Sequence, residues 1–152
     1  MRRLWHFIYF WLPPLLWMGL IFMVSSDGNS FNRSSRIIGP FVHWLFPDAA
    51  PATVENVVVA VRKLAHVTEY ACCAILLWRA LRRHTARDTR PWSWREPALS
   101  LLIVFAYAIT DEWHQTFVPG RQGAVHDVLL DTLGGALGLF AIWLAGRWSK
   151  RW

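Results

Sequence analysis

The feature that most constrains this chain is its first apolar run, residues 4–24, which contains no Asp, Glu, Lys or Arg. A helix needs about 20 apolar residues to cross the hydrocarbon core of a bilayer. The run is long for the apolar core of a signal peptide, contains Trp11 and Trp17, and ends without a clear small-x-small cleavage site. We therefore predict a retained transmembrane helix, kinked at Pro13-Pro14; the alternative is cleavage, which would leave three spans.

Further apolar stretches predict an all-α fold, a small polytopic membrane bundle. The chain has 152 residues, 55% of them hydrophobic, with 11 Trp, which is too apolar for an ordinary soluble domain of this size. We predict a single integral membrane domain over residues 1–152, with four transmembrane helices at about 4–24, 57–81, 98–114 and 125–146. Thr53 is the predicted N-cap of the second helix.

The segment between the first two spans is a separate case. Residues 31–50 hold too few apolar residues to cross a membrane, so we predict an interfacial or re-entrant segment. Such a segment would act as a lid over polar residues at that end of the bundle.

The distribution of basic residues predicts the orientation. With four spans, 11 Lys and Arg fall on the side of the two termini and 5 on the other. The count includes Arg2, Arg3 and Arg87. Basic residues collect on the cytoplasmic side, so both termini are predicted to be cytoplasmic, in a bacterial plasma membrane. The net charge of +6 does not indicate a nucleic-acid partner, because the arginines flank apolar runs instead of lining one helix face.

Three polar motifs sit at helix ends that this topology places on the outer side. They are Lys63-x-x-His66-x-x-Glu69-Tyr70, Asp111-Glu112-x-His114-Gln115-x-Phe117-x-Pro119-Gly120-Arg121, and Asp127-x-x-x-Asp131-Thr132-x-Gly134. Ionisable groups at membrane depth each cost a few kcal/mol, so they usually mark function and point inward. The motifs therefore predict a shared polar pocket.

Each residue type in these motifs suggests a role. The candidates for acid–base chemistry are His66, Glu69, Asp111, His114, Asp127 and Asp131. The candidates for binding an anionic substrate are Arg62, Lys63, Tyr70, Glu112, Gln115 and Arg121, with the Pro119-Gly120 turn returning Arg121 to the cluster. Helix geometry predicts two carboxylate–histidine pairs, Glu69 with His66 and Asp111 with His114.

Structural readings of the same residues stay open. The histidine–carboxylate pairs would also serve as polar contacts between helices, and Arg62 and Lys63 would also reach lipid head groups. A divalent metal is an alternative use of His66, Glu69, Asp111, His114 and Asp131, although no compact ligand signature is present; the cofactor is unknown. Gly134-x-x-x-Gly138 suggests close helix approach, including a homodimer.

The three motifs resemble the VanZ-like family of bacterial membrane proteins. The resemblance implies a small multi-pass plasma-membrane protein in a family named for resistance to the glycopeptide teicoplanin. It implies no established reaction, substrate or cofactor. Members often carry Asn where this chain has Asp131, so this chain adds a charge at that position.

Three functions compete at this point. The first is a site that binds or modifies a membrane lipid or a lipid-linked anionic envelope precursor, by hydrolysis or group transfer if it is an enzyme. The second is a non-enzymatic protein that binds or shields an envelope component and so affects teicoplanin sensitivity. The third is a component of proton- or ion-coupled transport. The sequence leaves the substrate and the oligomeric state open.

Overall fold

The chain forms a bundle of helices, seen in a computed structural model that describes residues 2–28, 30–85 and 88–151. Arg87 and the side chains of Arg2 and Arg3, which entered the count of basic residues, lie outside the described part. The helices are α1 (Arg2–Ser25), α2 (Ser30–Leu45), α3 (Pro51–Arg82), α4 (Arg95–Gln115) and α5 (Val125–Trp148). No strand occurs in the described ranges, so the all-α prediction is confirmed.

Three of the helices, α1, α3 and α5, are long and apolar enough to cross a membrane. Helix α4 is not among them. Its 21 residues include Glu96, Asp111 and Glu112, which lower its hydropathy at both ends. The prediction of four spans is therefore confirmed only for three.

The start of α3 differs from the predicted one. Its N-cap is Ala50, and Pro51 occupies the first turn. Proline suits that position because its fixed φ is already helical and a first-turn N–H has no partner within the helix. Thr53 lies inside the helix, so its prediction as the N-cap was wrong.

Helix α3 is the centre of the bundle and packs against each of the other helices. Its tightest contact is with α5, at Gly134 and Gly138. A Cβ atom on Gly134 would lie 2.5 Å from the carbonyl oxygen of Val67, and one on Gly138 would lie 2.7 Å from that of Ala71. The two glycines are thus buried within the chain, and a homodimer would have to use another surface.

Helix α2 lies against α3 and is strongly amphipathic. Val42 is buried, whereas Ile37, Phe41 and Trp44, spaced along one side, are 72%, 61% and 76% exposed. With 16 residues the helix is too short to span a bilayer. An exposed apolar stripe on a short helix is typical of a segment at the membrane surface.

The connection from α3 to α4 is held by a cluster of charged side chains. The carboxylate of Asp88, 4% exposed, accepts hydrogen bonds from Nε of Arg82 and Nε of Arg90, both at 2.8 Å, and lies 3.0 Å from Nδ1 of His84. The Arg90 guanidinium in particular holds the pKa of Asp88 well below its usual range. This cluster lies at the end of the bundle opposite the three polar motifs.

Candidate functional site

A polar cavity of about 290 Å³ lies between α3, α5 and the end of α4. Most of the predicted site residues line it: Arg62, Lys63, His66, Glu112, Gln115, Arg121, Asp127 and Asp131. Residues from all three motifs therefore meet at one end of the bundle. The exceptions are Glu69, Tyr70, Asp111 and His114.

The basic side of the cavity is held in place by contacts with α1 and α2. Nη1 of Arg62 donates to Oγ of Ser34 at 3.2 Å. Nη2 of Arg121 donates to the carbonyl oxygen of Val24 at 3.2 Å. Gly120, whose φ of 81° favours glycine, makes the turn that brings Arg121 to this position. Arg62 and Arg121 are therefore positioned by the polypeptide itself, whereas the Lys63 side chain is exposed.

The acidic side lies deeper, on α5 and α4. Asp131 is 1% exposed, and neither of its carboxylate oxygens has a hydrogen-bond partner among the described residues. Nδ1 of His66 lies 3.7 Å from Oδ1 of Asp131, within ion-pair range but too far for a hydrogen bond. The oxygens of Glu112 accept from the backbone N–H of Ala124 at 2.9 Å and from Nε2 of Gln115 at 3.1 Å. Asp131 is thus the unsatisfied carboxylate of the cavity.

Two of the exceptions form a buried network behind the cavity. The Tyr70 hydroxyl donates to Oδ2 of Asp111 at 3.3 Å, and Nε2 of Gln115 donates to the same oxygen at 3.3 Å. The other Asp111 oxygen is buried without a partner. This network links α3 to α4 and places Asp111 behind Gln115 rather than at the cavity surface.

The predicted carboxylate–histidine pairs were wrong. His66 faces Asp131 instead of Glu69, and the His114 ring packs on Phe22, with ring centroids 4.4 Å apart and Nδ1 unpaired. Three residues along a helix turn by about 300°, so side chains at that spacing diverge by about 60° and meet different neighbours. Glu69 does not line the cavity.

The described residues contain no group of three or more His, Cys, Asp or Glu side chains arranged to hold a metal ion. The candidate ligands are divided between two places. His66 and Asp131 line the cavity, whereas Glu69, Asp111 and His114 do not. The residues present therefore do not form the metal site considered from the sequence.

Sequence reasoning missed residues that shape the site without carrying charge. Nε1 of Trp17 on α1 donates to the Glu69 carbonyl oxygen at 2.9 Å. Gly123 lies so close to the backbone of Glu112 that a Cβ atom would collide with its carbonyl oxygen. The position of Gly123 just before a predicted helix could have indicated its close contact with Glu112. Nothing in the sequence distinguished Trp17 from the other tryptophans, of which the chain has 11 in total.

Three helices apolar enough to span a membrane, in a bundle without strands in its described ranges, define a membrane protein. The chain belongs to the VanZ/LLP1 family, whose family model matches residues 10–146. The family resemblance predicted from the three motifs is thereby confirmed. Neither the curated proteins nor the solved structures include a match to this chain.

Proposed function

We propose that the cavity binds the anionic head group of a membrane lipid or of a lipid-linked cell-envelope precursor. The observation that carries this proposal is the convergence of Arg62, Lys63 and Arg121 on one cavity at one end of the bundle. Arginine binds phosphate with two parallel hydrogen bonds, and lysine adds a compact positive charge. A single phosphate fits these three side chains better than any uncharged ligand.

The proposed topology places this cavity on the outer side of the plasma membrane. Helix α4 would be the fourth span, because it packs against both α3 and α5, which are apolar enough to cross a membrane. Oγ of Ser100 donates to the carbonyl oxygen of Ala74, and the Tyr70 hydroxyl donates to Asp111. With four spans, both termini lie on the side that holds most of the basic residues, which is cytoplasmic.

An apolar groove next to the cavity supports a lipid over a soluble anion. The groove, of about 440 Å³, lies between α4 and α5 and includes Phe105, Ile109 and Leu129 in its walls. Glu112 lines both the groove and the cavity. We propose that a head group in the cavity places its hydrocarbon chain past Glu112 in the groove, in contact with the bilayer.

The cavity supports binding more strongly than catalysis. His66 is its one histidine within the described residues, since His114 packs on α1. If the protein is a hydrolase or transferase, His66 carries the proton, Asp131 orients it and Arg121 holds the anion. With His114 turned away from the cavity towards Phe22, the second of the two predicted proton carriers is missing from it. The non-enzymatic alternative therefore gains support, in which binding of an envelope component alters sensitivity to teicoplanin.

Transport is the least supported function. Beneath the cavity the bundle is filled by buried residues of α3 and α4, including Cys73, Ala74, Leu77 and Val104. A proton or ion path would need polar groups through this layer.

The test is a comparison of two lysines that carry the same substitution. Purified protein in detergent is titrated with a short-chain anionic lipid, and the dissociation constant is measured by calorimetry. Lys63→Gln should weaken binding about tenfold, because a hydrogen bond to a charged group contributes roughly 1.5–3 kcal/mol. Lys150→Gln, at the opposite end of the bundle, should bind like the wild type. Equal affinities for the two variants would refute the proposed site.

A second measurement separates binding from chemistry. The protein is incubated with radiolabelled membrane lipids, and the products are resolved by chromatography. A product that His66→Ala abolishes indicates an enzyme. Binding that depends on Lys63, without any product, indicates the non-enzymatic function.

A further inference from the structure

We propose that the ligand of this cavity is zwitterionic and carries a primary ammonium group next to its phosphate, with Asp131 as the residue that binds the ammonium. This inference rests on the proposed function and specifies its substrate class. It starts from Asp131, which is 1% exposed and lines the cavity, yet has no hydrogen bond to either carboxylate oxygen within the described residues. Buried polar groups are nearly always hydrogen-bonded to protein, water or a ligand, and the facing Nδ1 of His66, at 3.7 Å, is too far away to donate such a bond to Asp131. A ligand in the cavity can supply the missing donor.

The neighbouring acidic residues of the cavity do have polar partners within the chain. Both oxygens of Glu112 accept hydrogen bonds, from Ala124 and Gln115. Asp127, one helical turn nearer the start of α5, lies 3.3 Å from Nε2 of His126. Asp131 is therefore the position at which a donor from outside the chain would be bound.

The chemistry of that donor follows from the charge of the whole cavity. The basic residues Arg62, Lys63 and Arg121 are matched in number by the acidic residues Glu112, Asp127 and Asp131, and the titratable His66 lines the cavity beside them. A purely anionic ligand that reached Asp131 would place its charge against a buried carboxyl group and would supply no hydrogen-bond donor to it, which is unfavourable. A ligand without net charge, with its phosphate on the arginine side and its ammonium at Asp131, leaves each charge opposite an opposite one.

The size of the cavity limits the ligand further. A volume of about 290 Å³ lies at the lower limit of small-molecule sites. It suits a compact aminoalkyl phosphate such as phosphoethanolamine and would not enclose a head group built from several sugars or amino acids. We therefore assign the cavity to an aminoalkyl phospholipid.

The experiment compares three short-chain phospholipids that differ in the head group. The dihexanoyl forms of phosphatidylethanolamine, phosphatidylcholine and phosphatidylglycerol are titrated into the detergent-solubilised wild-type protein. Phosphatidylethanolamine supplies charge and N–H donors, phosphatidylcholine supplies charge without donors, and phosphatidylglycerol supplies hydroxyl donors on an anion. We expect phosphatidylethanolamine to bind about tenfold more tightly than either of the others, the size expected for a hydrogen bond to a charged group.

The variant Asp131→Asn tests the residue. It should lower the affinity for phosphatidylethanolamine about tenfold and that for phosphatidylcholine by much less, because choline loses only the attraction of its charge, whereas the primary ammonium also loses hydrogen bonds to the carboxylate. Asp48→Asn, an exposed position outside the cavity, is the matched control and should retain the preference. If Asp131→Asn does not fold, the wild-type comparison of the three lipids decides alone.

The outcomes separate the two proposals. Equal binding of the three lipids, weakened by Lys63→Gln, overturns the ammonium site and leaves the anion site standing. Tighter binding of phosphatidylglycerol also overturns it, because the donor at Asp131 would then be a hydroxyl. Binding of none of the lipids overturns the proposed function together with this inference.

Discussion

Replacing Gly134 with alanine should force α5 away from α3 and destabilise the bundle. The new Cβ atom would lie 2.5 Å from the carbonyl oxygen of Val67 and 2.9 Å from its Cα, both backbone atoms that no rotamer change can move. Ordinary contact begins at 3.4 Å, so the helices must separate by the difference between 3.4 Å and 2.5 Å, about 0.9 Å. Gly138→Ala should act in the same way, because its Cβ atom would lie 2.7 Å from the Ala71 oxygen.

The magnitude follows from two opposing effects. A gap of about 0.5–1 Å removes a quarter to a half of the dispersion energy of the atoms that face it, and overpacking typically costs about 1–3 kcal/mol. Alanine has the higher helix propensity, by about 1 kcal/mol. Because the colliding atoms are backbone, we expect the upper end of the overpacking range and a net loss of about 2 kcal/mol.

The measurement is reversible unfolding in mixed micelles as the mole fraction of sodium dodecyl sulfate rises, followed by circular dichroism. Gly19→Ala is the matched control, since a Cβ atom there meets nothing within 4 Å. It should be neutral or slightly stabilising. If Gly134→Ala and Gly138→Ala unfold at the same detergent fraction as Gly19→Ala, the close packing of α3 on α5 is refuted.

Three further substitutions test the rest of the bundle. The pKa of Asp88 is lowered chiefly by the hydrogen bonds from Arg90, so this carboxylate stabilises the fold fully above its unfolded pKa of about 3.9. That contribution is lost as the pH falls through the lower pKa of the folded state. The difference in Tm between the wild type and Asp88→Asn should therefore be constant at neutral pH and shrink in acid. A difference that stays constant down to about pH 2 would contradict this prediction. Tyr70→Phe removes a hydrogen bond to buried Asp111 and should destabilise by about 1 kcal/mol in the same unfolding assay; no change would mean that the hydrogen bond contributes nothing. Ser100→Ala removes its 2.7 Å hydrogen bond to α3 and should cost about 0.6 kcal/mol, with a loss above about 2 kcal/mol arguing for a larger role.

The membrane-length helices could be predicted from the sequence. The predicted last helix, residues 125–146, corresponds to α5 at Val125–Trp148. Apolar runs of this length predict helices, because a backbone inside a membrane has no water to bind and must form its hydrogen bonds within the chain. The location of the polar motifs at helix ends, with short connections between those helices, also predicted that they would meet at one end of the bundle.

The contacts between individual side chains of the site could not be predicted from the sequence. His66 and Glu69 belong to one polar stripe of α3, but the rotation of that helix within the bundle decides which of them faces α5. That rotation depends on contacts such as Gly134 on the backbone of Val67. A helical stripe is about as wide as the angle between the two side chains, so periodicity alone cannot separate them.

Over little more than two turns, α3 reaches every other helix. Arg62 binds α2, His66 faces α5, the Glu69 carbonyl oxygen accepts from α1, and Tyr70 binds α4. During synthesis α3 leaves the ribosome while α4 is still inside it and before α5 has been made, so we expect α3 to enter the bilayer with His66 and Tyr70 lacking these partners. Maturation of the protein should therefore depend on completion of its last helix, and nascent chains truncated before residue 125 should be the forms that quality-control proteases remove.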